Sequence, residues 1–277
     1  MLSRPSILVF DSGLGGLTVF RAIKALRADA DFTYAADDAG FPYGPLPPEA
    51  LVARVMAVLG DLIDRHRPDL VVIACNTAST LVLPPLRAAR PDLPFVGTVP
   101  AIKPAAARSR TGLVSVLATP GTVKREYTRE LVALHAGACD VTLVGAPRLA
   151  GVAEAFLRGR PVEEAAIADE LAPCFVEKGR GRTDAVVLAC THYPLLLDIF
   201  RRIAPWPVDW VDPAPAIARR VETLLAARFQ SPSCASRTGR AVFTSGREPE
   251  PALRETLARF GLFAGSSAES RPALTGT

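Results

Sequence analysis

The sequence predicts an α/β fold: two similar domains with parallel sheets flanked by helices, related by a pseudo-twofold, with an active site in the cleft between them. Three observations carry this. Short apolar runs alternate with amphipathic stretches along the chain, the pattern of strand–helix units. One motif occurs twice, as Asp69-Leu-Val-Val-Ile-Ala-Cys75-Asn-Thr77 and as Asp184-Ala-Val-Val-Leu-Ala-Cys190-Thr-His192. The elements preceding each copy also come in the same order.

The amino end opens with a strand over 6–10, a glycine-rich turn Asp11-Ser-Gly-Leu-Gly-Gly16 and a helix over 17–26. The turn lacks the third glycine of a dinucleotide fingerprint, where Thr18 stands, and has no Gly-Lys-Ser/Thr ending, which argues against a nucleotide. A helix start with free N–H groups suits a carboxylate, with Asp11 beside it as a base or amine ligand. A strand over 32–35, a rigid loop through Pro42-Tyr43-Gly44, and a helix over 48–65 with Leu51, Val55, Val58, Leu59 and Leu62 on one face follow. The run 70–74 is apolar throughout, as in a parallel strand buried on both faces, and it delivers Cys75 at its carboxyl end, where open α/β sheets bind ligands. A helix over 77–89 and a strand over 95–97 close the first copy.

The second copy begins with a strand over 112–117, a turn at 118–122 and a helix over 123–134, matching 7–26 by position. A strand over 141–144, a helix over 149–157 carrying Glu154, a helix over 162–175 and a loop over 178–183 lead to the second cysteine strand. His192-Tyr-Pro194 and a helix over 195–203 end it. Thereafter come a strand over 208–211, a helix over 214–228, a hydrophilic turn over 231–239, a strand over 241–244 and a helix over 251–260. Residues 264–277, rich in Ser, Gly, Thr and Ala, read as a flexible tail.

Composition narrows the function. With 277 residues, 49% of them hydrophobic and 22% charged, the chain has the profile of one large or two medium globular domains. No apolar run reaches the ~18 residues that span a bilayer, and the start is too short in its apolar part for a signal peptide. The expectation is a soluble, cytoplasmic protein with no membrane partner. The net charge of +4 comes from scattered Arg, so no nucleic-acid partner is implied. The Cys residues, at 75, 139, 174, 190 and 234, are odd in number and widely spaced, with no C-x-x-C pair, against a disulfide framework, thioredoxin-like chemistry or a four-ligand zinc site.

Either motif Cys alone reads as an inert buried thiol; two in the same local setting point to chemistry. If the domains face one another, Cys75 and Cys190 approach a bound molecule from opposite sides. One thiolate takes a proton from carbon while the other thiol returns one on the opposite face, inverting the centre. A free thiol is only a few per cent ionised near neutrality, so each needs a proton-handling neighbour. His192, Asp11 and Glu154 are the candidates, the bland readings being a packed histidine, a helix-capping aspartate and a surface glutamate. Ser12, Tyr43, Gly44, Asn76, Thr77, Thr119 and Thr191 offer hydroxyls and backbone N–H groups to a substrate with carboxylates, which backbone amides hold without a metal.

The segments Asp11-Ser-Gly-Leu-Gly-Gly16, Pro42-Tyr-Gly44, Ala74-Cys-Asn-Thr-Ala-Ser79 and Ala189-Cys-Thr-His-Tyr-Pro194, in this order, resemble the glutamate racemase family. The resemblance runs from about Ile7 to Gly261. It departs at Ala146, where the family usually has Cys, and at Asp212-Pro213 in place of Asp-Ser. It implies a cofactor-independent enzyme, with no metal, interconverting L- and D-glutamate for peptidoglycan. Cys75 and Cys190 are its implied acid/base pair. Asp11, Ser12, Tyr43, Gly44, Asn76, Thr77, Thr191 and His192 are implied to contact substrate or assist the thiols. It also implies a homodimer, and a first domain (1–99) completed by the last quarter of the chain (212–263) around a second (100–211). A racemase for aspartate or another acidic amino acid, and a non-catalytic carboxylate-binding module, are the alternatives.

Overall fold

The computed structural model describes residues 4–179, 181–229 and 238–264. The first half runs β1 (Ser6–Asp11), α1 (Leu17–Leu26), β2 (Asp31–Ala36), α2 (Pro48–His66), β3 (Leu70–Ile73), α3 (Asn76–Ala89) and β4 (Phe95–Gly97). The second runs α4 (Ile102–Arg108), β5 (Leu113–Ala118), α5 (Pro120–Val123), α6 (Glu126–His135), β6 (Asp140–Gly145), α7 (Leu149–Leu157), α8 (Glu164–Leu171), β7 (Glu177–Lys178), β8 (Gly181–Arg182), β9 (Ala185–Ala189), α9 (Leu197–Ile203) and β10 (Asp209–Val211). The chain continues with α10 (Ala214–Ala226), β11 (Gly239–Phe243), α11 (Pro251–Phe260) and β12 (Leu262–Ala264).

Two parallel sheets result, one ordered β12-β11-β2-β1-β3-β4 and the other β10-β9-β5-β6. The inner order β2-β1-β3-β4 of the first recurs as β6-β5-β9-β10 in the second, so each cysteine strand lies next to the first strand of its own half. Along β1 and β3, Ile7, Val9, Leu70 and Val72 enter one apolar cluster, while Leu8, Phe10, Val71 and Ile73 enter another on the opposite face. This alternation explains why the cysteine strands are apolar at every position: both faces are roofed by helices. In the second sheet Val186 and Leu188 point one way and Ala185, Val187 and Ala189 the other. No helix among the described residues is long and apolar enough to cross a membrane.

The Asp that opens each motif copy has the same job in both halves. Asp69 Oδ2 accepts from Ser6 N at 2.9 Å, tying the start of β3 to the start of β1. Asp184 accepts from Ser109 Oγ at 2.6 Å, Arg110 N at 2.7 Å and Thr111 N at 3.1 Å, tying the start of β9 to the turn that launches β5. These anchors fix where each strand begins, and therefore where its cysteine emerges.

Several elements differ from expectation. The helix expected over 162–175 is cut to α8 and a 3-10 turn, Ala172–Cys174, because Pro173 has no N–H for an α-helical bond. The loop expected over 178–183 contains the antiparallel β7–β8 pair, turned at Gly179 with φ +60°. The helix expected over 123–134 is two helices broken at Lys124 and Arg125. Helix α4 and strand β12 have no counterpart in the sequence reading, and Ala264, expected to start the tail, ends β12. Residues 265–277 of that tail and 231–237 of the hydrophilic turn, with Cys234, lie outside the described residues.

Replacing Asp184 by Ala removes three hydrogen bonds, two of them from solvent-exposed amides, so unfolding free energy should drop by about 1–2 kcal/mol in urea titrations. Asp69→Ala, with one such bond lost, should cost about 1 kcal/mol.

Candidate active site

Both motif cysteines sit just beyond their strands, Cys75 after β3 as the residue capping α3 and Cys190 after β9, each with 6% of its surface exposed. They line one buried cavity of about 20 Å³. Ser12, Phe41, Pro42, Tyr43, Gly44, Asn76 and Thr77 of the first half and Thr119, Ala150, Thr191 and His192 of the second complete its wall, so it draws on both halves. A space of that size holds about one water molecule. An amino acid does not fit in that space as it stands.

The two thiols have different surroundings. Cys75 Sγ lies 3.7 Å from Ser12 Oγ, and burial together with the nearby Asp11 carboxylate pushes its pKa up to about 12. Cys190 Sγ lies 3.8 Å from His192 Nδ1. The far nitrogen of that ring, Nε2, is 3.0 Å from Glu154 Oε1 and 3.2 Å from the Gly15 amide nitrogen. Protonated, Nε2 donates to the carboxylate; deprotonated, it accepts from the amide, so both states of the ring find a partner. Burial alone would lower the His192 pKa, but its hydrogen bonds to Cys190 and Glu154 outweigh it and hold the pKa well above the ordinary histidine value. Burial likewise opposes ionisation of Glu154, yet His192 and the Leu14 amide keep its carboxyl below the usual range.

Glu154 is therefore no surface residue. Its carboxylate enters the glycine-rich turn and accepts from Leu14 N. A Cβ at Gly13 would stand 2.2 Å from Glu154 Oε1, and one at Gly15 2.3 Å from His192 Nδ1. The glycines thus serve close approach, and the carboxylate that the turn attracts belongs to the protein's other half. Asp11, fully buried at the end of β1, accepts from Gly13 N at 3.0 Å and from Thr191 Oγ1 at 3.2 Å, reaching the Cys190 segment from the Cys75 side. Burial raises its pKa.

The remaining residues divide by what their polar atoms do. Asn76 is buried, and neither its Nδ2 nor its Oδ1 has a protein partner. Thr77 Oγ1 meets Thr119 Oγ1 at 3.0 Å and Thr122 Oγ1 at 3.3 Å, a hydroxyl cluster joining the halves. Tyr43 lines the cavity, but its hydroxyl donates to Asp37, which also holds Arg54. Gly44 offers no side chain and packs its carbonyl against Gly121. Sequence reasoning missed Thr122, Phe41, whose ring lies 5.5 Å from that of His192, and Thr18, whose hydroxyl donates to the Thr191 carbonyl at 3.1 Å. Only Thr122 had a local signal, three residues after the helix-capping Thr119.

Two duplicated α/β halves closing buried thiols around one cavity, each thiol beside a proton-handling group, define the class: an isomerase of the racemase type. The family model described as Asp/Glu/Hydantoin racemase matches residues 15–221, and the chain belongs to that family. Within it the chain sides with the glutamate racemases. It is 58% identical to the glutamate racemase of Brucella ovis over 256 residues, 92% of both chains. Among solved structures, the glutamate racemase of Escherichia coli, in complex with L-glutamate and the activator UDP-MurNAc-ala, superposes with a TM-score of 0.85 at 40% identity, covering 95% of this chain and 99% of that one. The glutamate racemase of Thermus thermophilus, in complex with beta-chloro-D-alanine, does so with 0.71 at 27% identity, covering 96% and 98%.

Gly13→Ala and Gly15→Ala should each lower the melting temperature, because the added Cβ would stand 2.2 Å from Glu154 Oε1 or 2.3–2.6 Å from atoms of the buried His192 ring. Both should displace the Glu154–His192 pair and lower kcat by about tenfold or more, with the alkaline limb of the pH–rate profile shifted. Measuring melting temperature beside kcat separates the two effects. The thiol of Cys75 keeps its proton up to about pH 12 when folded and releases it near the ordinary thiol value of 9.0 when unfolded, so stability falls as pH rises from 9. Cys75→Ala should remove that slope, an effect approaching about 3 kcal/mol by pH 11, read from unfolding curves of both proteins.

Proposed function

We propose that this enzyme interconverts L- and D-glutamate by two-base proton transfer through Cys75 and Cys190. The observation that carries the reading is that both sulfurs, from equivalent strand ends of the two halves, face one cavity. At rest Cys75, its pKa raised to about 12, is the protonated donor. Cys190, with the His192 ring at 3.8 Å, is the partner whose proton has somewhere to go. Removal of the α-proton by the Cys190 sulfur and delivery by Cys75 to the opposite face invert the centre. In the reverse direction the roles exchange, the Cys75 sulfur taking the proton with Ser12 and Asp11 beside it.

The substrate's polar groups have counterparts. Asn76, with both amide atoms unpartnered, and the amino-terminal N–H groups of α3 suit a carboxylate. The Thr77 and Thr119 hydroxyls offer further donors once the halves part. The buried Asp11 carboxylate suits the ammonium group. Neither cofactor nor metal enters this scheme. The relatives' names support glutamate over aspartate, and D-glutamate made in the cytoplasm would serve peptidoglycan synthesis.

We also propose that the chain divides as 1–99 with 212–263 against 100–211. The strand memberships of the two sheets support this division. The homodimer is proposed as the working form, with sedimentation as its check.

In deuterium oxide, the purified enzyme should exchange the α-hydrogen of either glutamate enantiomer, and aspartate should react more slowly. Cys75→Ser and Cys190→Ser should each lose racemisation by about 100-fold or more. Absence of exchange with both enantiomers would overturn the reading.

A further inference from the structure

We infer that Lys124 and Arg125 line the entry route by which the acidic amino acid reaches the thiols. The inference rests on the function proposed above and extends it to how the site is loaded.

Two outer pockets, each of about 410 Å³, adjoin the inner cavity. Both take wall residues from the two halves; the one on the threonine side of the seam shares four wall residues with the inner cavity, Pro42, Gly44, Thr119 and Ala150. The other shares only Phe41, and the Glu154–His192 pair stands behind that residue. Contiguity therefore favours the first. Its inner wall is the place where a Cβ on Gly121 would meet the Gly44 carbonyl at 2.8 Å, and where Thr77, Thr119 and Thr122 join the halves. Parting there opens the cavity directly into this pocket.

Charge makes the same choice. The pocket on the threonine side has two charged residues in its wall, Lys124 and Arg125, both cationic. The other has four carboxylates, Asp38, Glu154, Glu248 and Glu250, against three guanidiniums. Glutamate carries net negative charge, so the threonine-side pocket attracts it and the other does not. Among the described residues neither Lys124 nor Arg125 has an ion-pair partner, and Arg125 Nε is buried without a hydrogen bond. A cation left uncompensated beside a low-dielectric cleft focuses its field on the opening. The break between α5 and α6 is what turns these two residues towards the pocket instead of onto a continuous helix face.

The test compares wild type with Lys124→Gln/Arg125→Gln, and with Arg160→Gln from the other pocket as a control. At low ionic strength the double variant should show kcat/KM for glutamate reduced about tenfold, carried by KM with kcat kept within about twofold. The deficit should shrink as salt approaches molar concentration, and Arg160→Gln should match wild type. A second reading is independent of the glutamate assignment: alkylation of Cys75 and Cys190, followed by peptide mass spectrometry, with anionic iodoacetate and neutral iodoacetamide. The double variant should lower the iodoacetate rate relative to iodoacetamide at both sulfurs. If wild type leaves glutamate unchanged, the proposed function falls and the alkylation ratio still decides the entry route. An unchanged ratio, or a kcat/KM deficit that persists undiminished in salt or lies in kcat, overturns the inference.

Discussion

The contact on which the site depends is the entry of the Glu154 carboxylate, with His192 against it, into the turn Gly13-Leu14-Gly15. Each sheet by itself supplies one thiol at a strand end. This seam helps place them on a common cavity, and it does so by satisfying backbone donors of one half with side chains of the other. Such a contact is costly to leave unmade, because a buried carboxylate or amide without a partner loses its hydration for nothing. The consequence for substrate is specific. The glycine turn, which by its free amides suits an incoming carboxylate, is already occupied, so the proposed function assigns the substrate's carboxylates to Asn76 and the start of α3, where polar atoms remain unpartnered.

The duplicated scaffold carries unlike chemistry. Strand order, motif and even the anchoring aspartates repeat between the halves, yet Cys75 has a serine hydroxyl for its neighbour and Cys190 an imidazole. The proposed two-base reaction needs one sulfur with a proton and one without at the start of each turnover. Identical environments would give two groups that titrate together. The asymmetry breaks that degeneracy: burial and Asp11 hold the proton on Cys75, while the Glu154–His192 pair provides for the other side.

What the sequence made legible follows from the range of the forces involved. The central strands were readable because burial on both faces demands apolar residues at every position, and the cysteines because their place at a strand end repeats. Glu154 and His192 were readable as residue types near the right elements. Their destination was not, since nothing local to Gly13 or Gly15 says which side chain arrives there across 140 or more positions. The same limit hid Phe41, which touches His192 only through the closed seam. Periodicity overran helix 162–175 because Pro173 is apolar and fits the pattern while lacking the donor a helix needs. It also ran straight through Lys124 and Arg125, and so joined two helices whose break shapes the pocket on the threonine side of the seam.

Burial ties these points together. A cavity of about 20 Å³ leaves room for about one water molecule beside the thiols, and the low dielectric around it strengthens the charge interactions there. The same closure that makes His192 and Asp11 effective also shuts the substrate out. Loading must then break contacts that are individually weak. At the Thr77–Thr119–Thr122 cluster and the Gly44–Gly121 contact the halves meet through hydroxyls and backbone alone. The Glu154–His192 seam, by contrast, carries charge and buried amides. Parting the halves on the threonine side breaks hydroxyl contacts that water replaces, whereas parting them at Glu154 would break a buried, charge-assisted set of hydrogen bonds. The halves are thus joined by charge and buried amides where the proton machinery sits, and by hydroxyls and backbone alone on the side next to Lys124 and Arg125, where the entry route is proposed.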